Sequence, residues 1–202
     1  MSEVQYIDYG VGNQKSIVNA LKYLNKDFII INDVKNIDPS QPIILPGVGS
    51  FSHCKNELDR LGFFKPLKKM LHNNEITNLV GICVGMQMLF ERGYENGECE
   101  GFGVFKGEIN LLSINIEKKQ KIKLPNISWI DTFKTESDLL SGKFYFIHSY
   151  GNIESKDQIS YYKFHESKVT AVAKNKGIWG TQFHPEKSGI SGLKMLDNMI
   201  TS

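Results

Sequence analysis

Cys83 lies between glycines in Gly81-Ile82-Cys83-Val84-Gly85-Met86-Gln87, where an apolar run, Leu79 to Ile82, gives way to helical spacing. This is the pattern of a nucleophile elbow, a strained strand-to-helix turn that lifts a nucleophile above a sheet and needs glycine where a side chain would strike backbone. With a thiol in place of the usual hydroxyl, the helix N-terminus beneath it favours the thiolate. The Val84 amide is positioned to donate to a developing oxyanion. A thiol nucleophile needs a base, and Gly180-Thr181-Gln182-Phe183-His184-Pro185-Glu186 supplies a histidine and a carboxylate two residues apart. His184 would take the thiol proton and return it to a leaving group, and Glu186 would orient the imidazole and stabilise its charged form. Either residue alone is ordinary, since most buried cysteines are small hydrophobes. The two segments together point to covalent acyl transfer. Gln87, one helical turn after Cys83 and on nearly the same face, has an amide that can reach a substrate held over the sulfur.

These two segments resemble the class I, Cys-His-Glu glutamine amidotransferases, whose nucleophile motif is G-x-C-x-G-x-Q and whose base motif is Q-F-H-P-E. Within that family the resemblance is strongest to the glutaminase subunits of imidazole glycerol phosphate synthases of histidine biosynthesis. It is carried by Asp8-Tyr9-Gly10-Val11-Gly12-Asn13, Pro46-Gly47-Val48-Gly49-Ser50-Phe51 and Phe146-Ile147-His148-Ser149-Tyr150, and it runs over nearly all 202 residues. It implies a catalytic triad of Cys83, His184 and Glu186, and an oxyanion hole of Val84 with a second donor at the Gly47-Val48 peptide. It also implies substrate contacts at Gly49, Gln87, Glu95, Ser149 and Tyr150, with Glu95 taking the ammonium group. L-glutamine would be the substrate, and a cyclase or synthase subunit would be the heterodimer partner that receives the ammonia. The reaction calls for no cofactor.

The elements that must position these groups follow from hydrophobic patterning. Val4 to Asp8 reads as a strand, and Asn13 to Leu24, with Ile17, Ala20, Leu21 and Leu24 at helical spacing, reads as a helix. Phe28-Ile29-Ile30-Ile31 and Pro42-Ile43-Ile44-Leu45 are continuous apolar runs, predicting parallel strands buried on both faces. Helical spacing returns over Cys54 to Leu61 and Pro66 to Leu71. Gly93 to Gly107 reads as loops. The second half changes character: Glu108 to Leu112, Ser128 to Phe133, Phe144 to His148, Val169 to Ala173 and Ile178 to Phe183 predict strands with little room for helices between them. Ser191 to Ile200 predicts a closing amphipathic helix. The expected fold is α/β, a three-layer open mixed sheet, largely parallel and flanked by helices, of the class I glutamine amidotransferase kind with a more antiparallel second half. One glutaminase domain is expected over 1–202.

Composition narrows the remaining classes. A chain of 202 residues with 24 basic and 22 acidic side chains carries a net charge of +2, which gives no general electrostatic basis for binding nucleic acid. The local run Lys118-Lys119-Gln120-Lys121-Ile122-Lys123 reads as a solvated hairpin tip. Three cysteines without C-x-x-C spacing suggest neither a disulfide framework nor a zinc site. No histidine stands at a metal-binding spacing such as H-E-x-x-H, and Gly10-Val11-Gly12 lacks the third glycine of a dinucleotide loop. With no signal-like or membrane-length apolar segment, a cytoplasmic protein is expected.

One stretch departs from the resemblance. Where the histidine-pathway subunits have P-H-M-G-W-N, this chain has Pro125-Asn126-Ile127-Ser128-Trp129-Ile130 and keeps only the proline and tryptophan. The resemblance places this stretch, with Asn13, at the face that meets the synthase, making Asn13, Asn126 and Trp129 the partner-interface residues. The alternative kept beside the histidine pathway is the same chemistry serving a divergent cyclase-like synthase that aminates a sugar in surface-glycan assembly. A cysteine peptidase or γ-glutamyl hydrolase, which the Cys-His pair alone would allow, is disfavoured by Gln87 and the intact Pro46 to Phe51 loop.

Overall fold

The computed structural model describes residues 3–113, 123–134 and 141–202; of the basic run 118–123, only Lys123 falls within the described residues. The chain begins β1 (Val4–Ile7), α1 (Gln14–Tyr23), β2 (Phe28–Ile31), β3 (Ile43–Leu45), α2 (Phe51–Arg60), α3 (Phe64–His72), β4 (Leu79–Ile82) and α4 (Val84–Met88). It continues through β5 (Arg92–Gly93), β6 (Cys99–Glu100), β7 (Glu108–Leu111), β8 (Asn126–Lys134), β9 (Gly142–His148), β10 (Tyr150–Gly151), β11 (Gln158–Phe164), β12 (Ser167–Asn175), β13 (Ile178–Thr181) and α5 (Gly189–Thr201). Side-chain caps set two helix starts. Asn13 accepts from the Ser16 amide ahead of α1, and Ser50 accepts from the His53 amide ahead of α2.

The main sheet has nine strands in the order β2-β1-β3-β4-β13-β12-β11-β8-β9. From β2 to β13 every pairing is parallel, and from β13 to β9 every pairing is antiparallel. The resulting class is the expected mixed α/β sheet flanked by helices. Parallel strands in register finish at one edge, which decides where the chemistry lies. Thr181 is level with Ile82, and Leu45 with Gly81. The residues that follow β3, β4 and β13 therefore emerge side by side, with the turn after β4 in the middle. The Cys83 amide bonds to the Thr181 carbonyl at 2.8 Å.

Three features differ from the sequence expectation. The run Phe28 to Ile31 is not buried on both faces; β2 is an edge strand with a neighbour on one side only, and Ile29 is 43% exposed. The segment 93–107 is not all loop, because β5 and β6 join β7 and β10 in a second sheet of four strands. β11 was not anticipated. Its alternation is broken by register shifts on either side of Ser160, which put irregular spacing into an otherwise β-prone Ile159 to Phe164. Ser160 and Tyr162 of β11 are nonetheless buried, and Tyr162 packs against Phe146, which meets Phe183 edge-on.

Candidate active site

Cys83 occupies the turn between β4 and α4 with φ 55° and ψ −111°. A side-chain-bearing residue held at positive φ costs about 1–3 kcal/mol, which the surrounding structure must offset. It does so by packing backbone on backbone. A Cβ added at Gly85 would come within 2.0 Å of the Leu45 carbonyl oxygen, and one at Gly47 within 2.4 Å of the Gly85 amide nitrogen. The β3 loop and the start of α4 thus touch with no room for a methyl group between them. Gly85→Ala should cost about 4 kcal/mol through this overlap. At roughly 2–4 °C per kcal/mol for a chain of this size, the melting temperature should fall by about 8–16 °C in a thermal scan.

Because Val84 is the first residue of α4, its amide has no partner within the helix and is free to donate to a bound group. Beneath the β3 loop, the Tyr9 hydroxyl donates to the Pro46 carbonyl at 2.6 Å and the Cys54 thiol points at the Val48 carbonyl from 3.7 Å. Burial pushes the Cys54 thiol up to about 12, outweighing its hydrogen bond to Tyr9, so Cys54 stays protonated at neutral pH.

His184 and Glu186 follow β13 and are both buried. The imidazole Nδ1 lies 2.9 Å from Glu186 Oε1. A carboxylate only accepts, so Nδ1 carries a proton and Nε2 is the nitrogen left to serve Cys83, which lines the same cavity. Burial by itself would lower the imidazole's pKa, but the contacts with Cys83 and Glu186 together outweigh it and raise the value to about 10. At neutral pH the ring is an imidazolium beside the sulfur. The backbone that carries it is pinned, with the His184 amide on the Tyr145 carbonyl at 3.0 Å and the Ser188 hydroxyl on the His184 carbonyl at 2.6 Å.

A cavity of about 180 Å³ opens above Cys83. This is smaller than the roughly 300–1,000 Å³ of drug-sized sites and suits a ligand the size of an amino acid. Val48, Gly49, Cys83, Val84, Gln87, Glu95, Ser149, Tyr150 and His184 all line it, and Glu186 stands behind His184. Gln87 is buried, and its Nε2 donates to the Tyr150 carbonyl at 2.9 Å and to Gln182 Oε1 at 3.0 Å, while its own Oε1 has no partner. Both amide hydrogens of Gln87 are thus spent within the protein. Glu95 accepts from the Phe51 amide, and burial raises its pKa, the Phe51 bond opposing the shift.

Sequence reasoning missed several members of this wall. Ile147 and Lys187 also line the cavity, as does His148, to which the sequence assigns a structural rather than a catalytic role, and Gln182 holds Gln87 while its own Nε2 lies 3.8 Å from the Cys83 sulfur. Gln182 had a signal in its place within the base motif; Lys187 had none beyond following Glu186. The three residues expected at a partner face do not line this cavity. Asn13 caps α1, whereas Asn126 and Trp129 sit on β8, where the neighbouring Ile127 is 54% and Trp129 itself 50% exposed. Trp129 meets Tyr145 edge-on.

A larger cavity, about 460 Å³, lies at the opposite edge of the sheet, near the start of β13, between residues such as His72, Asn175 and Ile178. It has no nucleophile beside a base, so size alone does not mark the site. Among the described residues no cluster of three His, Cys, Asp or Glu side chains could hold a metal ion, and no helix is long and apolar enough to cross a membrane.

Comparison with known proteins identifies the family. Residues 5–201 match the family described as Glutamine amidotransferase class-I. A relative from Geobacillus sp., named imidazole glycerol phosphate synthase subunit HisH, is 38% identical over 198 residues, covering 95% of this chain and 93% of its own length. A Campylobacter jejuni relative, imidazole glycerol phosphate synthase subunit HisH 1, is 35% identical over 202 residues and covers 96% and 98% respectively. Among solved structures, PurLQS from Thermotoga maritima superposes with a TM-score of 0.67 at 17% identity, over 100% of this chain and 99% of the other, a likeness of fold.

Proposed function

The chain belongs to the class I glutamine amidotransferases, and from that premise we propose that it is the glutaminase subunit of an imidazole glycerol phosphate synthase, hydrolysing L-glutamine at Cys83 and passing ammonia to a cyclase subunit. The observation that carries the chemistry is the pinned Nδ1–H of His184 on Glu186, which leaves the other ring nitrogen for the Cys83 sulfur in the same cavity.

The Cys83 thiolate attacks the side-chain carbonyl carbon of glutamine, forming a C–S bond and a tetrahedral oxyanion held by the amides of Val84 and Val48. The imidazolium gives its Nε2 proton to the departing nitrogen, the C–N bond breaks and ammonia leaves. Water then attacks the thioester, His184 takes its proton, and the C–S bond breaks to release glutamate and regenerate the thiolate. Gln87, Glu95, Gly49 and the Ser149-Tyr150 backbone hold the amino-acid end of the substrate.

Ammonia is useful to a synthase only if it escapes protonation by bulk water, so this reading makes the chain one half of a cytoplasmic heterodimer, a single amidotransferase domain over 1–202. Asn13, Asn126 and Trp129 then belong to the docking face. A second reading keeps the chemistry and changes the partner. It is favoured by one observation, the replacement of P-H-M-G-W-N by Pro125 to Ile130, with Ile127 and Trp129 both exposed on that hairpin. A few central residues decide partner fit, and losing one matched contact costs about 2 kcal/mol or more.

Complementation separates the two. A strain lacking only its histidine-pathway glutaminase, supplied with this chain and its own cognate synthase, is expected to grow without histidine. Failure to grow despite a stable, glutaminase-active complex would transfer the assignment to a divergent synthase, such as one aminating a sugar.

A further inference from the structure

His148 is a buried histidine that the reaction does not use, and its ring is hydrogen-bonded at both nitrogens. Nδ1 lies 2.8 Å from the Tyr150 carbonyl and Nε2 lies 3.0 Å from the Tyr162 hydroxyl. A carbonyl can only accept, so Nδ1 must be the protonated nitrogen. Nε2 is then a bare acceptor, and the Tyr162 hydroxyl donates to it. The ring is neutral in the working pH range, since burial pulls its pKa down to about 4, against the opposing bond to Tyr150. A neutral histidine has two tautomers; the Tyr150 carbonyl selects the one with its proton on Nδ1, and the fully buried Tyr162 on β11 satisfies the other nitrogen.

The carbonyl that His148 grips also accepts from Gln87 Nε2 at 2.9 Å. Gln87, a residue of the cavity wall, gives its second hydrogen to Gln182 Oε1, and its own Oε1 is buried without a partner. An amide can rotate by half a turn and exchange its oxygen and nitrogen. What fixes Gln87 with its oxygen free is the presence of two acceptors, Tyr150 O and Gln182 Oε1, on its nitrogen side. The Tyr150 carbonyl is therefore the element through which His148 governs how Gln87 is held beside the cavity.

We propose that Tyr162 and His148 are positioning residues of the glutamine site: Tyr162 donates to His148 Nε2, the His148 Nδ1–H anchors the Tyr150 carbonyl, and that carbonyl holds the Gln87 side chain in the wall of the substrate cavity. This rests on the glutaminase reading above and adds to it two residues, one from each of β9 and β11, that act through Tyr150 and Gln87 rather than on the reacting atoms. Their loss should weaken binding of glutamine more than it slows the chemistry, because the sulfur, His184 and Glu186 are untouched.

The test uses the chain in complex with its synthase and compares three variants that differ in which hydrogen bond survives. Asn places its amide nitrogen where Nδ1 stands, so His148→Asn keeps the donor to Tyr150 and should leave KM within about threefold of wild type. Gln reaches the Nε2 position instead, so His148→Gln keeps only the Tyr162 contact and should raise KM by about tenfold, with kcat changed far less, the scale expected for one lost hydrogen bond. Tyr162→Phe should raise KM severalfold. In nitrogen-15 spectra of the isolated chain the wild type should show His148 as a single Nδ1–H tautomer. Thermal unfolding of each variant records any general destabilisation. Equal KM values for His148→Asn and His148→Gln, or an Nε2–H tautomer in the wild type, would overturn the proposal while leaving glutamine hydrolysis in place. A wild-type complex that does not hydrolyse glutamine would overturn the reading beneath it and the proposal together.

Discussion

Cys83→Ala is expected to reduce glutamine hydrolysis by about 10⁴-fold or more, the scale of removing a covalent nucleophile, while the chain stays folded. The substitution deletes one sulfur from a turn whose geometry is set by contacts of Gly85 and Gly47 with neighbouring backbone, not by the thiol. The folded variant should also reveal the electrostatics of the pair. With the sulfur gone, His184 loses its largest raising contribution and keeps only Glu186 against burial, so its pKa should fall well below the wild-type value of about 10. The sign for stability follows. A histidine whose folded pKa lies above its ordinary 6.5 contributes stability that is complete below about 6.5 and is lost as pH rises through about 10. Wild type should therefore lose stability across that window, and Cys83→Ala should lose less. Nuclear magnetic resonance titration of His184 in both proteins, with denaturant unfolding at several pH values, checks both statements. An unchanged His184 titration would show that the sulfur is not its partner.

The second large effect is expected at Glu186. Replacing it by Gln keeps the shape and removes the acceptor charge. The amide can then present N–H groups to Nδ1 and favour the tautomer with its proton on Nε2, facing the sulfur, when the ring is neutral. Where a triad carboxylate is amidated, kcat falls by about 10⁴-fold, and a loss of about 10²–10⁴-fold is expected here. The pH profile distinguishes this from general damage. In wild type the proton that ammonia needs sits on His184, so kcat/KM should hold through neutral pH and decline on the alkaline side as the imidazolium titrates near 10. In Glu186→Gln one of the contacts that raises the imidazole's pKa is gone, and the alkaline limb should move to lower pH. A profile whose alkaline limb is unmoved in the variant would mean that Glu186 does not govern the base.

What could be read from the chain alone was the part written in short, contiguous motifs. Strand, glycine, cysteine, glycine, helix is a local statement about backbone, and Gln182 to Glu186 is another. Adjacent parallel strands then suffice to bring their ends together, because β4 and β13 run in register. The parts that were not legible depend on contacts across the chain. β2 resembles a buried strand by composition, and only its place at the sheet edge exposes Ile29. β11 hides behind irregular spacing around Ser160, and with it went Tyr162 and its hydrogen bond to His148. Gln182 stood inside a motif that had already been assigned to its neighbours, and its contact with Gln87 spans 95 residues. Side-chain roles that consist of holding another side chain leave little periodicity to find.

The central claim, that Cys83 and no other thiol does the chemistry, is tested most directly by labelling. Cys54 is buried with its thiol pushed up to about 12, and Cys99 is half-buried. The chain is incubated with an electrophilic analogue of glutamine, with and without excess L-glutamine, and the modified peptides are located by mass spectrometry. The account predicts one adduct per chain, on Cys83, suppressed by L-glutamine and absent in Cys83→Ala. An adduct on Cys54 or Cys99, or labelling of Cys83 that L-glutamine does not suppress, would contradict it.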